Sequence, residues 1–170
     1  GARVCNAAAK QGVPLATITS SFDTVSICLS KGLGAPIGSV LVGRAQNIQR
    51  ARRWRKVLGG GMRQAGIVAA AGLHALKHNI ERMSDDHDNA MRLASGLSGL
   101  NGISVDASAV QTNMVFMETD QGIADALCSY LATHDIYVKP ATRMRLVTHM
   151  DVSRSDIDTV ISTVREYFAN

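Results

Sequence analysis

The chain has 170 residues and a formal net charge of +4, with 46% hydrophobic and 19% charged residues. This length is typical of one domain or part of a larger protein, and the composition excludes a disordered chain. No apolar run is long enough to span a bilayer, so we expect no membrane partner. Three cysteines without a CxxC pair predict reduced core thiols in a cytoplasmic protein.

The amino-terminal part of the chain contains the most informative pattern. Residues 1–9 have no capping residue, so no helix start is predicted there, and residues 12–15 form a loop. A β-rich apolar run from Thr24 leads into Lys31, two glycines and a proline follow, and residues 37–43 predict a second strand. A lysine at the end of a strand, before a loop that permits close approach, is well placed to be an amine nucleophile.

Two helices are predicted next, over residues 45–58 and 62–83, with three glycines between them. The first helix carries a basic cluster around its tryptophan, formed by Arg50, Arg52, Arg53, Arg55 and Lys56. No nucleic-acid recognition motif accompanies this cluster, so we predict a solvated or interface face and no nucleic-acid partner. His74 and His78 are one helical turn apart, but no third ligand has suitable spacing, so we predict no metal site.

The carboxyl-terminal part of the chain changes to a mixed pattern. The predicted elements are a helix over 84–98, strands over 103–105 and 113–117, a helix over 122–133, strands over 135–139 and 144–148, and a helix over 156–168. Ser153 and Asp156 resemble a capping box that opens the last helix. This order predicts a small α+β layer with helices on one sheet face. We therefore predict a domain boundary that separates residues 1–84 from residues 85–170.

Four blocks of sequence occur in order: Gly-Ala-Arg at 1–3, the Lys31 segment at 26–36, residues 53–64 with the three glycines, and Arg-Leu-Val-Thr-His at 145–149. A fifth block, which matches less closely, is Asp-His-Asp-Asn-Ala at 86–90. Together they resemble the low-specificity L-threonine aldolases, which are pyridoxal-phosphate enzymes of the aspartate-aminotransferase-like fold. The resemblance implies an α/β protein, the C-terminal part of a fold-type-I enzyme. It would comprise the tail of the large mixed-sheet, cofactor-binding domain and a small α+β C-terminal domain.

The resemblance also implies roles for individual residues. Lys31 would form the imine with pyridoxal 5'-phosphate. Arg63 would reach across a subunit interface to the phosphate of the neighbouring cofactor, where the start of a helix offers backbone N–H groups. Ser30 would lie near the imine or the phosphate, although a strand-end serine is equally often a turn residue. Arg3 and Arg145 would contact the substrate carboxylate, because a guanidinium recognises a planar anion through two bonds.

Three further residues are secondary candidates. Lys56 lies near the site in relatives and is a substrate-binding candidate. The sequence is equally well explained if Lys56 is only a lysine of the basic cluster on the helix face. Arg143 shares a strand face with Arg145 and is a rival for the same carboxylate. His149 is close to Arg145 in sequence. No residue of the chain is a convincing base for the β-hydroxyl proton of a substrate.

The implied reaction is cleavage of L-threonine, L-allo-threonine and related β-hydroxy-α-amino acids to glycine and an aldehyde. In the family, an aspartate that pairs with the pyridine nitrogen directly precedes the first block, and the upstream half supplies a ring-stacking histidine and the main phosphate loop. We therefore expect the C-terminal half of a homo-oligomeric enzyme, a dimer or tetramer with a shared active site, that is inactive in isolation. Two alternatives stay open: another pyridoxal-phosphate reaction, such as serine hydroxymethyl transfer or β-elimination, or a non-catalytic assembly module.

Overall fold

The computed structural model describes residues 1–169. They form two compact units, the first comprising Gly1–Ser84 and the second beginning at Asp85. No helix among the described residues is long and apolar enough to cross a membrane.

The first unit combines a two-stranded antiparallel sheet with short and medium helices. Its elements are α1 (Val4–Gln11), α2 (Leu15–Thr19), β1 (Thr24–Cys28), β2 (Ser39–Gly43), α3 (Ala45–Val57) and α4 (Gly66–His78). In the sheet, Val25 lies opposite Val42 and Ile27 opposite Val40, as expected for β-branched residues paired across strands. The predicted strand–lysine–strand segment is confirmed.

The core of the first unit lies around the turn that follows β1. Its buried members come from α1, from this turn and from α4 and the residues after it: Val4, Cys5, Leu29, Leu33, Ala35, Ala75 and Met83. Leu33 is only 2% exposed, and full burial of a leucine side chain contributes roughly 1.5–3 kcal/mol. The core therefore anchors the segment on both sides of Lys31.

Strand β2 and helix α3 contain no buried residue. Val40, Leu41, Val42, Trp54 and Val57 are all exposed apolar side chains on these two elements. Such a concentration of exposed apolar residues is typical of a surface that another polypeptide segment covers.

The second unit is a three-stranded antiparallel sheet with helices packed on one face. Its elements are α5 (Met83–Leu97, which begins in the last residues of the first unit), β3 (Ile103–Val105), β4 (Met114–Thr119), α6 (Gln121–Ala132), β5 (Arg143–Val147) and α7 (Arg154–Ala169). The strand order is β3-β4-β5. Val115, Met117 and Met144 point into the core, while Phe116 and Arg145 face outward. The predicted α+β layer is confirmed.

The capping box at the start of α7 is also confirmed. The Ser153 backbone N–H donates to a carboxylate oxygen of Asp156 at 2.8 Å, and the Asp156 N–H donates to the Ser153 hydroxyl at 3.2 Å. Each residue thereby satisfies a backbone donor of the other at the open end of the helix.

Three expectations about local structure were wrong. Residues 135–139 form no strand, because Asp135 adopts a left-handed conformation (φ 58°) and the Ile136 N–H bonds back to the Leu131 carbonyl at 3.0 Å. Helix α1 forms although it has no side-chain cap, because Val4, Cys5 and Ala8 are buried. Helix α4 begins at Gly66 rather than at residue 62, because Gln64, with φ 49°, interrupts any helical path from the glycines.

Candidate active site

Lys31 lies on a tight turn held by its own backbone. The Gly34 N–H donates to the Lys31 carbonyl at 2.7 Å, and the Ala35 N–H donates to the Leu29 carbonyl at 2.9 Å. Gly34 has φ +71°, a conformation that favours glycine. Leu29 and Leu33 are buried while Lys31 is exposed. The turn therefore presents a primary amine on an anchored backbone.

Ser30 contacts the neighbouring thiol. Its hydroxyl lies 3.5 Å from the sulfur of Cys28. This hydrogen bond lowers the pKa of the Cys28 thiol, and the positive charge of Lys31 acts in the same direction. Cys28 is half-buried, so the prediction that all three cysteines are core thiols holds only for Cys5 and Cys128.

Arg3 stands at the start of α1, immediately before core residues Val4 and Cys5. The Gly1 nitrogen lies 2.7 Å from the Ser26 carbonyl oxygen, which places this end of α1 beside β1. The Arg3 side chain is half-exposed. The structure thus attaches Arg3 and Lys31 to the same core.

Lys56 and Arg63 flank the three-glycine turn. Helix α3 ends with the Gly59 N–H bonded to the Lys56 carbonyl at 3.2 Å and the Gly60 N–H bonded to the Arg55 carbonyl at 2.8 Å, which is a Schellman motif. The Lys56 side chain packs against Gly61, where a Cβ would lie 3.1 Å from its Cδ. Arg63 is exposed in the loop before α4. The expectation that Arg63 stands at a helix start was therefore wrong.

The cationic candidates of the first unit have no acidic partners. None of Arg3, Lys31, Lys56 and Arg63 forms an ion pair within residues 1–169. A cation without a carboxylate neighbour retains its capacity to bind an external anion.

The two arginines of β5 have different surroundings in the second unit. Arg143 lies 3.3 Å from a carboxylate oxygen of Glu118, and its guanidinium stands 4.6 Å from the centre of the Phe116 ring. Arg145 is exposed opposite Phe116, and its side chain has no hydrogen bond or ion pair in the described part of the chain. Of these two arginines, only Arg143 has an acidic partner among the described residues.

The histidines form no site of their own. The Nδ1 of His149 accepts from the Asp151 N–H at 3.3 Å and lies 3.5 Å from the Asp151 carboxylate. The rings of His74 and His78 are 4.5 Å apart. No group of three metal-ligating side chains occurs among residues 1–169.

Sequence reasoning missed one residue that contacts the Lys31 turn. The side-chain amide of Asn79 donates to the Leu33 carbonyl at 2.7 Å, in a buried position. The pattern predicted a helix over residues 62–83 that contains Asn79, but α4 ends at His78 and Asn79 follows it. A bond across 46 residues of sequence has no local pattern that would reveal it.

Comparisons with known proteins agree on one family. The family model described as beta-eliminating lyase matches residues 1–120. The chain is 45% identical over 169 residues to the low specificity L-threonine aldolase of Escherichia coli K12, covering 99% of this chain and 50% of that protein. It is 42% identical over 171 residues to low-specificity L-threonine aldolase 1 of Arabidopsis thaliana, covering 98% of this chain and 48% of that protein.

A solved structure from Exiguobacterium sp. 255-15 has the same fold. Its provisional name is aromatic amino acid beta-eliminating lyase/threonine aldolase. The two structures match with a TM-score of 0.83 at 20% sequence identity, and the match covers 99% of this chain and 51% of the Exiguobacterium chain. At this identity the match shows the fold alone. It confirms an α/β arrangement that corresponds to half of a fold-type-I enzyme. The chain spans about half the length of the curated relatives it matches.

Proposed function

The chain belongs to the beta-eliminating lyase family, and on that basis we propose that it is the carboxyl-terminal half of a threonine aldolase. The enzyme would cleave L-threonine, L-allo-threonine and related β-hydroxy-α-amino acids to glycine and an aldehyde. The observation that carries this proposal is the 45% identity to the E. coli aldolase across 169 residues. The other half of the enzyme would supply the remaining cofactor contacts, and residues 1–84 would belong to the large cofactor-binding domain.

The family is pyridoxal-phosphate dependent, and the residues of the first unit fit this cofactor. Lys31 would hold it covalently through the amine that the anchored turn presents to solvent. The guanidinium of Arg63, which has no acidic partner, would bind the phosphate, and the Ser30 hydroxyl would add a hydrogen bond beside Lys31. When bound, the cofactor supplies an electron sink for cleavage of the bond between Cα and Cβ.

Arg145 would bind the carboxylate of the amino-acid substrate. Its free guanidinium supports this assignment, whereas Arg143 is already engaged by Glu118 and Phe116. Arg3 would make a second carboxylate contact from the start of α1, and Lys56 would assist substrate binding beside the three-glycine turn. Each guanidinium can bind a planar carboxylate through two parallel hydrogen bonds, which would orient the amino acid.

The complete enzyme would be a homo-oligomer with a shared active site. The exposed apolar side chains of β2 and α3 support a surface that another polypeptide covers, which would be the other half of the enzyme or a neighbouring subunit. Arg63 lies in the loop that follows α3. An interface at this face would bring Arg63 towards a neighbouring subunit.

The test uses a full-length protein made by joining residues 1–170 to the amino-terminal half of the E. coli relative. Borohydride reduction and peptide mass analysis then identify the lysine that carries the cofactor, and glycine release from threonine measures activity. We expect the cofactor on Lys31 and glycine release in the parent, and the loss of both in Lys31→Ala.

Lys10→Ala is the matched control, because it removes an exposed lysine of α1 and should leave both measurements unchanged. A cofactor attached to a different lysine in the parent would contradict the assignment. So would a visible absorbance band that persists unchanged in Lys31→Ala.

A further inference from the structure

The turn that carries Lys31, residues 29–35, is held by a side chain from a distant part of the first unit. Asn79 follows α4 and is 8% exposed. Its Nδ2 donates to the carbonyl of Leu33 at 2.7 Å. Because Leu33 is buried, its carbonyl needs a partner inside the protein, and Asn79 supplies one.

Met83, the first residue of α5, also contacts this turn. A Cβ on Gly32 would lie 3.0 Å from the sulfur and 3.1 Å from the Cε of Met83, and Met83 is 1% exposed. Gly32 therefore lies against the Met83 side chain, and the carbonyl of the next residue, Leu33, accepts a hydrogen bond from Asn79. Within this turn Leu33 and Ala35 are buried, whereas Lys31 is exposed, as are Ser30 and Gly34.

These contacts restrict the backbone of the turn that carries Lys31. The Gly34 N–H bonds to the Lys31 carbonyl, so the Leu33 carbonyl belongs to the peptide that carries this donor. A rotation of that peptide would break both its bond to Asn79 and its bond to Lys31. Asn79 thus holds the peptide that also bonds to the Lys31 carbonyl, although it is distant from Lys31 in sequence.

We propose that Asn79 is a positioning residue that holds the Lys31 turn in the conformation required for attachment of the cofactor. This inference rests on the proposed role of Lys31. Asn79 itself contacts only the backbone of the turn and takes no part in the chemistry. Loss of its amide donor leaves every proposed cofactor contact in place but lets the Lys31 backbone sample other orientations.

The first test needs no cofactor. Asn79→Asp keeps the size of the side chain but replaces the donor with an acceptor, and Asn79→Ala removes the group. Amide hydrogen exchange of Gly34 and Ala35 reports the opening of the turn, and urea unfolding reports global stability. In both variants we expect exchange at Gly34 to accelerate at least about tenfold beyond the change in global stability, equivalent to about 1.4 kcal/mol of local stability.

Leu15→Ala is the control for a merely structural effect. Leu15 packs against the same core but makes none of the hydrogen bonds that hold residues 29–35. We expect it to lower global stability without a local excess of exchange at Gly34. Parent-like exchange in Asn79→Asp, or an equal local excess in Leu15→Ala, would overturn the proposal.

The second test uses the joined full-length protein with pyridoxal phosphate. We expect both Asn79 variants to attach a smaller fraction of cofactor to Lys31 and to show a lower kcat, while the threonine KM stays within about twofold of the parent. If the parent attaches cofactor at Lys31 and the Asn79 variants attach it equally well, the positioning role is refuted and the proposed function stands. If the parent attaches no cofactor at Lys31, the proposed function fails and the positioning role fails with it.

Discussion

Replacement of Arg145 by alanine should weaken amino-acid binding without destabilising the fold. Arg145 projects from the exposed face of β5 and makes no side-chain hydrogen bond or ion pair within residues 1–169. Its removal therefore breaks no intramolecular interaction of that kind. The free energy of unfolding should change by no more than about 0.5 kcal/mol, as is usual for surface substitutions.

The expected loss of affinity follows from the chemistry of the guanidinium. A hydrogen bond to a charged group contributes about 1.5–3 kcal/mol. Loss of this contact at Arg145 should raise the dissociation constant for threonine by a factor of about 10 to 150. Binding of the cofactor should survive, because the proposed cofactor contacts lie in the first unit.

Arg143→Ala is the matched control for this measurement. It removes the same side chain from the same strand face, but Arg143 is paired with Glu118 and stacked on Phe116. We expect little change in threonine affinity. Spectral titration of the joined full-length protein with threonine, beside urea unfolding, measures both quantities. Equal threonine affinity in Arg145→Ala and the parent would refute the assignment, and a selective loss in Arg143→Ala would transfer the role to that residue.

Three further predictions follow from the structure. The purified 170-residue chain should release no glycine from threonine, whereas the joined full-length protein should. Robust release by the chain alone would contradict the proposal that it is half of the enzyme. Gly96→Ala should destabilise the second unit by about 1–3 kcal/mol in urea unfolding, because the added Cβ would lie 2.5 Å from the Cδ1 of Ile161. Gly122→Ala is the control: no atom lies within 4 Å of its added Cβ, so the substitution should be neutral or stabilising. Ser153→Ala should cost about 1 kcal/mol at neutral pH. The Ser153 hydroxyl lowers the pKa of Asp156. The stability that this carboxylate contributes is therefore present above roughly pH 4 and is lost as the pH falls through the lowered pKa. Ser153→Ala should consequently lose less stability on acidification than the parent.

Local patterns predicted the elements whose signals are contained in their own residues. Strands β1 and β2 have β-branched runs, and the capping box of α7 is a four-residue motif. Helix α1 was missed because its stability depends on burial of Val4 and Cys5 against Leu29 and Leu33, which are distant in sequence. Tertiary packing thus replaces the missing cap.

Residues 135–139 show why alternation is not sufficient for a strand. Ile136 and Val138 do pack against the core while Tyr137 is 80% exposed, so the period-two pattern is real. The segment nevertheless forms no ladder within the described residues, because the left-handed Asp135 and the bond from Ile136 to Leu131 direct the chain away from strand pairing. Alternation reports which side chains are buried, and pairing requires a neighbouring strand as well.

The candidate site residues were predicted individually, but the hydrogen bond from Asn79 that holds the Lys31 turn was not. Lys31 and Arg145 are marked by motifs, and the choice between Arg145 and Arg143 needed the structure because both occupy the same strand face. Asn79 could not be identified from sequence, since its partner is a backbone carbonyl whose residue type gives no signal. Support of this kind is visible only when the turn and the helix end are seen together.

The distribution of charge connects the candidate residues to the ligands proposed for them. Residues 1–84 contain twelve lysine and arginine residues and only two acidic residues, although the whole chain has a net charge of only +4. Arg3, Lys31, Lys56 and Arg63 all belong to this part and have no ion-pair partner among the described residues. Self-repulsion among these cations opposes compact folding, and a bound anion reduces it. Binding of a phosphate-bearing cofactor or a carboxylate substrate would therefore reduce this repulsion, and we expect phosphate at constant ionic strength to increase the thermal stability.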